Sequence, residues 1–329
     1  MSKRDLVRKE DLSVSQIIIE FLQCVTFYLL KIMQIKLYPF AGGAIVNKTT
    51  GIASTLGVPI NIKRLIQDDA DLRAIEKIQD CIISVIIPTY NEEASIIKTI
   101  DSILGGQNIN NTDNLIEIVI SDGGSSDRTL EVSQNHLESL RPKVRFVVTS
   151  GGTNRGESQN IGAIKSSGSI VLFLHADSLL PDNWQKLVRD AMADKKNLAG
   201  CFKFELFLSG ECSGPISSGI KNIYSKFLTR SVWQSFCIHV LELGTNLRSK
   251  YFHLPYGDQA LFFRKSIFLD CFHGFQSTAL LEDYDFIRKV RQYGKIITVA
   301  GAVRTSGRRW EINGFFWNTF LNQVHYSGN

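Results

Sequence analysis

Leu172, Phe173 and Leu174 form an apolar run without alternation that stops on His175-Ala176-Asp177. Such a run reads as a strand buried on both faces. In open α/β sheets, ligands sit beyond the carboxyl ends of strands. A carboxylate placed there, with no cation beside it in sequence, points to a hard dication and a phosphate-bearing substrate. Asp177 is therefore the candidate metal ligand, and His175 reads as a shielded structural histidine rather than a second ligand.

Other polar clusters have a spacing that lets them converge on Asp177. Pro88-Thr89-Tyr90-Asn91-Glu92-Glu93 closes an earlier apolar run and offers a hydroxyl, amides and carboxylates to a ribose or base. Taken alone, an ordinary strand-to-helix cap explains it better. Asp122, followed by Gly123 and Gly124, either accepts from a ribose hydroxyl or base N–H, or organises a turn. Arg155 follows a glycine-rich turn and precedes a helix, where it either reaches a diphosphate or sits on the surface. Glu282-Asp283 opens a helix, a common place for carboxylates, and the pair could equally hold a general base. Tyr256-Gly257-Asp258-Gln259 and Arg308-Arg309-Trp310 read as an acceptor pocket and phosphate clamp, or as a surface basic pair with a packing Trp.

These residues need elements to hold them. Strands are expected over 82–87, 115–121, 144–148 and 170–174. Between them fall a helix capped by Asn91 with Ile96, Ile97, Ile100, Ile103 and Leu104 on one face, a short helix from Asp127, a helix ending at Gly168, and one opening at Pro181. Alternating strands and helices imply a parallel sheet with right-handed crossovers. Further on, the pattern predicts a half-exposed strand over 200–207, a long helical stretch over 214–250, a short strand over 260–264, and helices over 282–293 and 313–326. No GxGxxG follows the first strand, which argues against a nicotinamide enzyme.

The chain has 329 residues and a formal charge of +5, with no Lys/Arg-rich run of the kind that tracks nucleic acid. Its six cysteines form no CxxC pair, which fits a reducing, cytoplasmic setting. Residues 1–80 read as a separate, partly apolar helical extension. Asp5, Glu10 and Asp11 spoil a secretory signal, and Val14–Tyr38 is too interrupted to span a bilayer. That stretch either packs on the main domain or lies peripherally on a membrane.

In order and spacing, the motifs from about Ile82 to Gln323 resemble family 2 glycosyltransferases of the GT-A fold. The likeness rests on Ser84-Val85-Ile86-Ile87-Pro88-Thr89-Tyr90-Asn91-Glu92, Asp122-Gly123-Gly124-Ser125-Ser126-Asp127, and Arg155-Gly156 with Asn160 and Gly162. It continues through His175-Ala176-Asp177 at the DxD position (His replacing the first Asp), Glu282-Asp283, and Arg309-Trp310. Pro255-Tyr256-Gly257-Asp258-Gln259, Thr305-Ser306 and Arg308-Arg309-Trp310 further resemble the subfamily named for arsenosugar biosynthesis.

The resemblance implies a Rossmann-like, mostly parallel sheet over residues 81–329. It implies an inverting transferase that takes a sugar from a nucleotide-sugar donor, a UDP-sugar first, with Mg²⁺ or Mn²⁺. Pro88, Thr89, Tyr90, Glu92, Asp122, Arg155 and Ala176 would bind the donor, and Asp177 the metal. Asp283, with Glu282, would act on the acceptor hydroxyl; Asp258, Gln259, Arg308, Arg309 and Trp310 would frame a small-molecule or lipid-linked acceptor. The rival readings are a sugar-nucleotide nucleotidyltransferase and a catalytically inactive, membrane-associated nucleotide-sugar-binding protein.

Overall fold

The computed structural model describes residues 82–105, 116–140, 144–194, 196–208, 232–276 and 282–313. The expected extension over 1–80, the start of the 214–250 helical stretch and the 313–326 helix beyond Asn313 lie outside these residues.

The first half is a run of parallel strand-helix units. Strands β1 (Ile83–Thr89), β2 (Ile116–Asp122), β3 (Arg145–Ser150) and β4 (Ile170–Phe173) alternate with helices α1 (Ile96–Leu104), α2 (Thr129–Ser139) and α3 (Arg155–Lys165). The chain continues through β5 (Ser178–Leu179), α4 (Trp184–Ala193), β6 (Asn197–Phe207) and α5 (Val232–Phe252). The described residues close with β7 (Phe262–Arg264), α6 (Glu282–Val290), β8 (Lys295–Ser306) and α7 (Arg308–Asn313). The strands form one mixed sheet in the order β3-β2-β1-β4-β7-β6-β8-β5. β1 pairs in parallel with β2 and β4, β7 is antiparallel to β4 and β6, and β8 runs parallel to β6 and antiparallel to β5.

The unbroken apolar runs are explained by burial on both faces of the sheet. Ile83, Val85 and Ile87 join one core with Ile100, Ile103, Trp184 and Phe262. Ile86, between them, points into a second core with Phe173, Phe263, Phe268 and Phe286. Helix α1 buries Ile96, Ile100, Ile103 and Leu104, the face its spacing requires.

Two sequence expectations are corrected. Asn91 does not cap α1, which begins at Ile96 after Ser95. Asn91 instead adopts a left-handed backbone (φ 55°), and its side-chain oxygen accepts from Ser126 N at 2.8 Å and Asp127 N at 3.4 Å. It stitches the turn after β1 to the turn after β2. The sequence pattern gives no strand over 295–306, where β8 runs, because Ala300, Gly301 and Ala302 interrupt its apolar pattern. Gly301 has a packing reason: a Cβ there would lie 2.6 Å from Leu187 Cδ1 on α4.

At the amino ends of β1 and β2, Glu117 is buried but fully engaged. Its carboxylate accepts from Ser84 Oγ, from Ser167 N at 2.7 Å and from Ser167 Oγ at 2.8 Å. The carboxyl ends of the strands, at the opposite edge, carry the candidate site.

Candidate functional site

Thr89 and Asp122 end neighbouring strands in register, and Thr89 Oγ1 donates to Asp122 Oδ1 at 2.8 Å. Ser125 Oγ donates to the same oxygen at 2.6 Å, while Gly124 N and Ser125 N donate to Oδ2 at 3.0 and 2.8 Å. A carboxylate has about four acceptor sites, so Asp122 is filled by its own turn. A ligand donor reaches it only by displacing one of these groups. Beside it, Tyr90 presents an exposed ring at the rim, and Pro88 is partly exposed.

The exit of β4 carries His175, Ala176 and Asp177. Thr99 Oγ1 of α1 donates to the Ala176 carbonyl at 2.8 Å, and Ser306 N of β8 donates to the Asp177 carbonyl at 3.2 Å. Both sides of this turn are thereby anchored. The fold supplies the cation that the sequence around Asp177 lacks. Arg308 Nη2 stands 3.9 Å from Asp177 Oδ2 and 2.7 Å from Glu92 Oε1. The Arg308 pKa lies above the ordinary arginine value, mainly through its hydrogen bond to Glu92. Arg308 therefore faces the turns after β1 and β4 rather than a separate acceptor pocket.

Arg155 and the Glu282-Asp283 pair meet behind His175. Arg155 Nε donates to the buried Glu282 carboxylate at 2.7 Å, and its Nη1 lies 3.4 Å from His175 Nε2. Burial opposes the Arg155 charge, but Asp283, Glu282 and Asp258 together hold its pKa above the usual value. Asp283 is also buried; its Oδ2 accepts from Gly257 N and its Oδ1 from Tyr284 N at 2.9 Å. Gly257 must be glycine for this approach. A Cβ would lie 2.8 Å from Asp283 Oδ2 and 3.5 Å from His175 Nε2.

The remaining predicted residues divide. Asp258 stays with the site: its carbonyl accepts from Thr305 Oγ1 at 3.2 Å, and its charge acts on Arg155. Gln259 does not face an acceptor. It is fully buried, accepts from Ser249 Oγ at 2.6 Å and donates to the Phe202 carbonyl at 3.0 Å. Trp310 is partly buried and packs against the apolar cluster of Phe204, Leu206, Leu208 and Ile238. The Arg309 side chain lies outside the described residues. Sequence reasoning missed Arg248, which stacks 3.4 Å from the Tyr256 ring centroid and donates to the Leu254 carbonyl. Nothing local in a long helix distinguishes it.

At this edge of the sheet, Glu92 and Asp177 face Arg308, while Glu282, Asp283 and Asp258 act on Arg155. Among the described residues no group of three His, Cys, Asp or Glu side chains could hold a metal. Asp177 fits a dication only where phosphate oxygens complete its shell, the usual way Mg²⁺ and Mn²⁺ accompany nucleotides.

Residues 84–232 match the family profile described as Glycosyl transferase family 2, less than half of the chain. Over 110 residues the chain is 32% identical to the poly(ribitol-phosphate) β-N-acetylglucosaminyltransferase TarS of Staphylococcus aureus, a match covering 33% of this chain and 18% of the relative. It is 24% identical over 246 residues to the probable glycosyltransferase YdaM of Bacillus subtilis, covering 73% of this chain and 53% of that protein. Each match thus spans well under two thirds of the relative's length. Among solved structures, the mannosyltransferase PcManGT of Pyrobaculum calidifontis, in complex with GDP-Man and Mn²⁺, superposes with a TM-score of 0.50 at 15% identity. That match covers 94% of this chain and 75% of the neighbour, a likeness of fold.

Proposed function

We propose that this chain, carrying the family 2 glycosyltransferase pattern over residues 84–232, is an inverting transferase that moves a sugar from a nucleotide-diphosphate donor to an acceptor hydroxyl. The observation that carries this reading is the convergence of Asp283, Gly257 and His175 at the end of β4, two residues before Asp177. This convergence supports reading Asp283, at the start of α6, as a general base beside a diphosphate site at the carboxyl end of β4.

Asp283 takes the proton of the acceptor hydroxyl as it attacks the anomeric carbon. The Gly257 N–H on Oδ2 and the Tyr284 N–H on Oδ1 fix the plane of the carboxylate that takes this proton. Glu282 is not a second base; it is committed to Arg155 and positions that guanidinium toward the diphosphate. Tyr90 and the turn after β1 cover the nucleoside, while Asp122 holds that turn in shape from within. Bound Mg²⁺ or Mn²⁺ at Asp177 would offset the charge of the departing diphosphate. Inversion needs one displacement and no covalent glycosyl-enzyme.

The acceptor is a small-molecule or lipid-linked hydroxyl, and the narrower arsenosugar-associated likeness belongs to the same proposal. A cytoplasmic setting completes it, with 1–80 as a helical extension that either packs on the catalytic domain or lies peripherally on a membrane. No helix among the described residues is long and apolar enough to cross a membrane.

Calorimetry with UDP, GDP and their sugars, in Mn²⁺ and in chelator, tests the donor. Metal-dependent binding of a UDP-sugar is expected. Binding of guanosine nucleotides alone moves the donor class, and binding of neither sinks the reading.

A further inference from the structure

We propose that Arg308 is the resident counter-ion of the donor site. It occupies the ground a dication needs at Asp177, and yields it only when metal and nucleoside diphosphate arrive together. The inference rests on the donor-site reading above and adds to it a device for coupling the two ligands.

Arg308 opens α7 directly after β8, and one nitrogen, Nη2, faces both Glu92 at 2.7 Å and Asp177 at 3.9 Å. Those carboxylates come from different turns, after β1 and after β4. The spacing between Asp177 and the root of Arg308 is set by backbone: Ser306 N donates to the Asp177 carbonyl, and Ser178 and Leu179 pair with Thr305 and Arg304. The guanidinium is thus delivered to Asp177 by the sheet itself. Glu92 offers a firmer hold, since its other oxygen accepts from Ser95 Oγ at 2.7 Å. The Arg308 side chain is 44% exposed, so it can turn away from Asp177 without dragging on the core.

The chemistry of the site makes this contact consequential. A hard dication wants several oxygen ligands, and no cluster of three candidate side chains exists among the described residues. His175, at the position of the first acidic residue of a DxD pair, faces Arg155. A dication approaching Asp177 alone therefore meets a fixed positive charge and few ligands. A diphosphate reverses both terms. It supplies oxygen ligands to the metal and gives the guanidinium a new anionic partner with matching fork geometry. Metal and nucleotide are then synergistic, and by linkage each raises the affinity for the other by the same factor.

The test is Mn²⁺ binding to the full chain, read from the spectrum of the free aqua ion by electron paramagnetic resonance, with and without UDP or GDP. In wild type, Mn²⁺ alone is expected to bind weakly and nucleotide to strengthen it. Arg308→Gln should tighten binding of Mn²⁺ alone, on the order of tenfold for removal of one nearby, partly screened charge. The enhancement by nucleotide should shrink in step. Arg308→Lys keeps the charge and should stay close to wild type for Mn²⁺ alone, which separates charge from any loss of fold. Unchanged or weaker Mn²⁺ binding by Arg308→Gln, in a protein whose wild type binds nucleotide, overturns this inference alone. A wild type that binds neither nucleotide overturns the donor reading and this inference with it.

Discussion

With Oδ2 accepting from Gly257 N and Oδ1 from Tyr284 N, the carboxylate plane of Asp283 is fixed before any acceptor arrives. Asp283→Asn preserves shape and removes the basic oxygen. We expect turnover to fall by at least ~10²-fold, the scale of a positioned general base, while donor affinity measured by calorimetry stays within a few-fold of wild type. A fully active variant would take Asp283 out of the mechanism. Much at this scale was legible beforehand. Asp177, Arg155 and Glu282-Asp283 all stand at ends of apolar runs or helices, and those ends meet on one edge of the sheet. What could not be read was who holds whom. Arg308 and Glu92 are 216 residues apart, and only the strand order brings them together. Nor does Asp-Gly-Gly reveal that Asp122 spends its acceptors on Thr89, Gly124 and Ser125. A Trp beside arginines suits a pocket and a core equally well, and only the strand order shows that Trp310 packs against Phe204 and Ile238.

At the level of elements, strands β1, β2 and β4 were readable because they are buried on both faces and carry no alternation to confuse. β8 was not, since its small central residues lie where neighbouring side chains crowd the sheet and its pairing with β6 is broken by register shifts. The link between α3 and β4 offers the sharpest test of packing. Gly168 N donates to Ser84 Oγ at 2.9 Å, and a Cβ on Gly168 would lie 2.6 Å from the Ile82 carbonyl. Backbone cannot step aside as a side-chain tip can. Gly168→Ala should therefore destabilise the fold by roughly 1–3 kcal/mol, the usual range for overpacking, seen as a lower denaturant midpoint with an unchanged slope. Nucleotide affinity in the folded fraction should be untouched, because this turn lies at the edge of the sheet opposite the site. A midpoint equal to wild type would mean that the loop shifts freely.

Among the described residues, the two larger apolar cores press on the two faces of one sheet, and Cys201 on β6 sits wholly inside the second. Burial pushes its thiol up to about 12, against a partial pull down from the Thr298 hydroxyl. In the native protein Cys201 should resist iodoacetamide at pH 8 and react once unfolded, as read by peptide mass mapping; native labelling would show that this core opens readily. The sign of the pH effect follows from linkage. The proton is held more tightly folded than unfolded, so the thiol's contribution to stability is complete below pH 9.0 and drains away as pH climbs toward about 12.

The position of β8 between β6 and β5 also has a bearing on how the protein is made. Ser178, beside Asp177, meets its partner Thr305 across 127 residues of chain. At ~5–20 residues per second, a ribosome needs roughly 6 to 25 seconds to cover that stretch. Throughout that interval the nascent chain already exposes the turns after β1, β2 and β4, while the strand that clasps Asp177 and delivers Arg308 has yet to be synthesised. An unfinished chain that stops short of β8 therefore carries Glu92 and Asp177 without Arg308, the cation that faces them both in the finished fold.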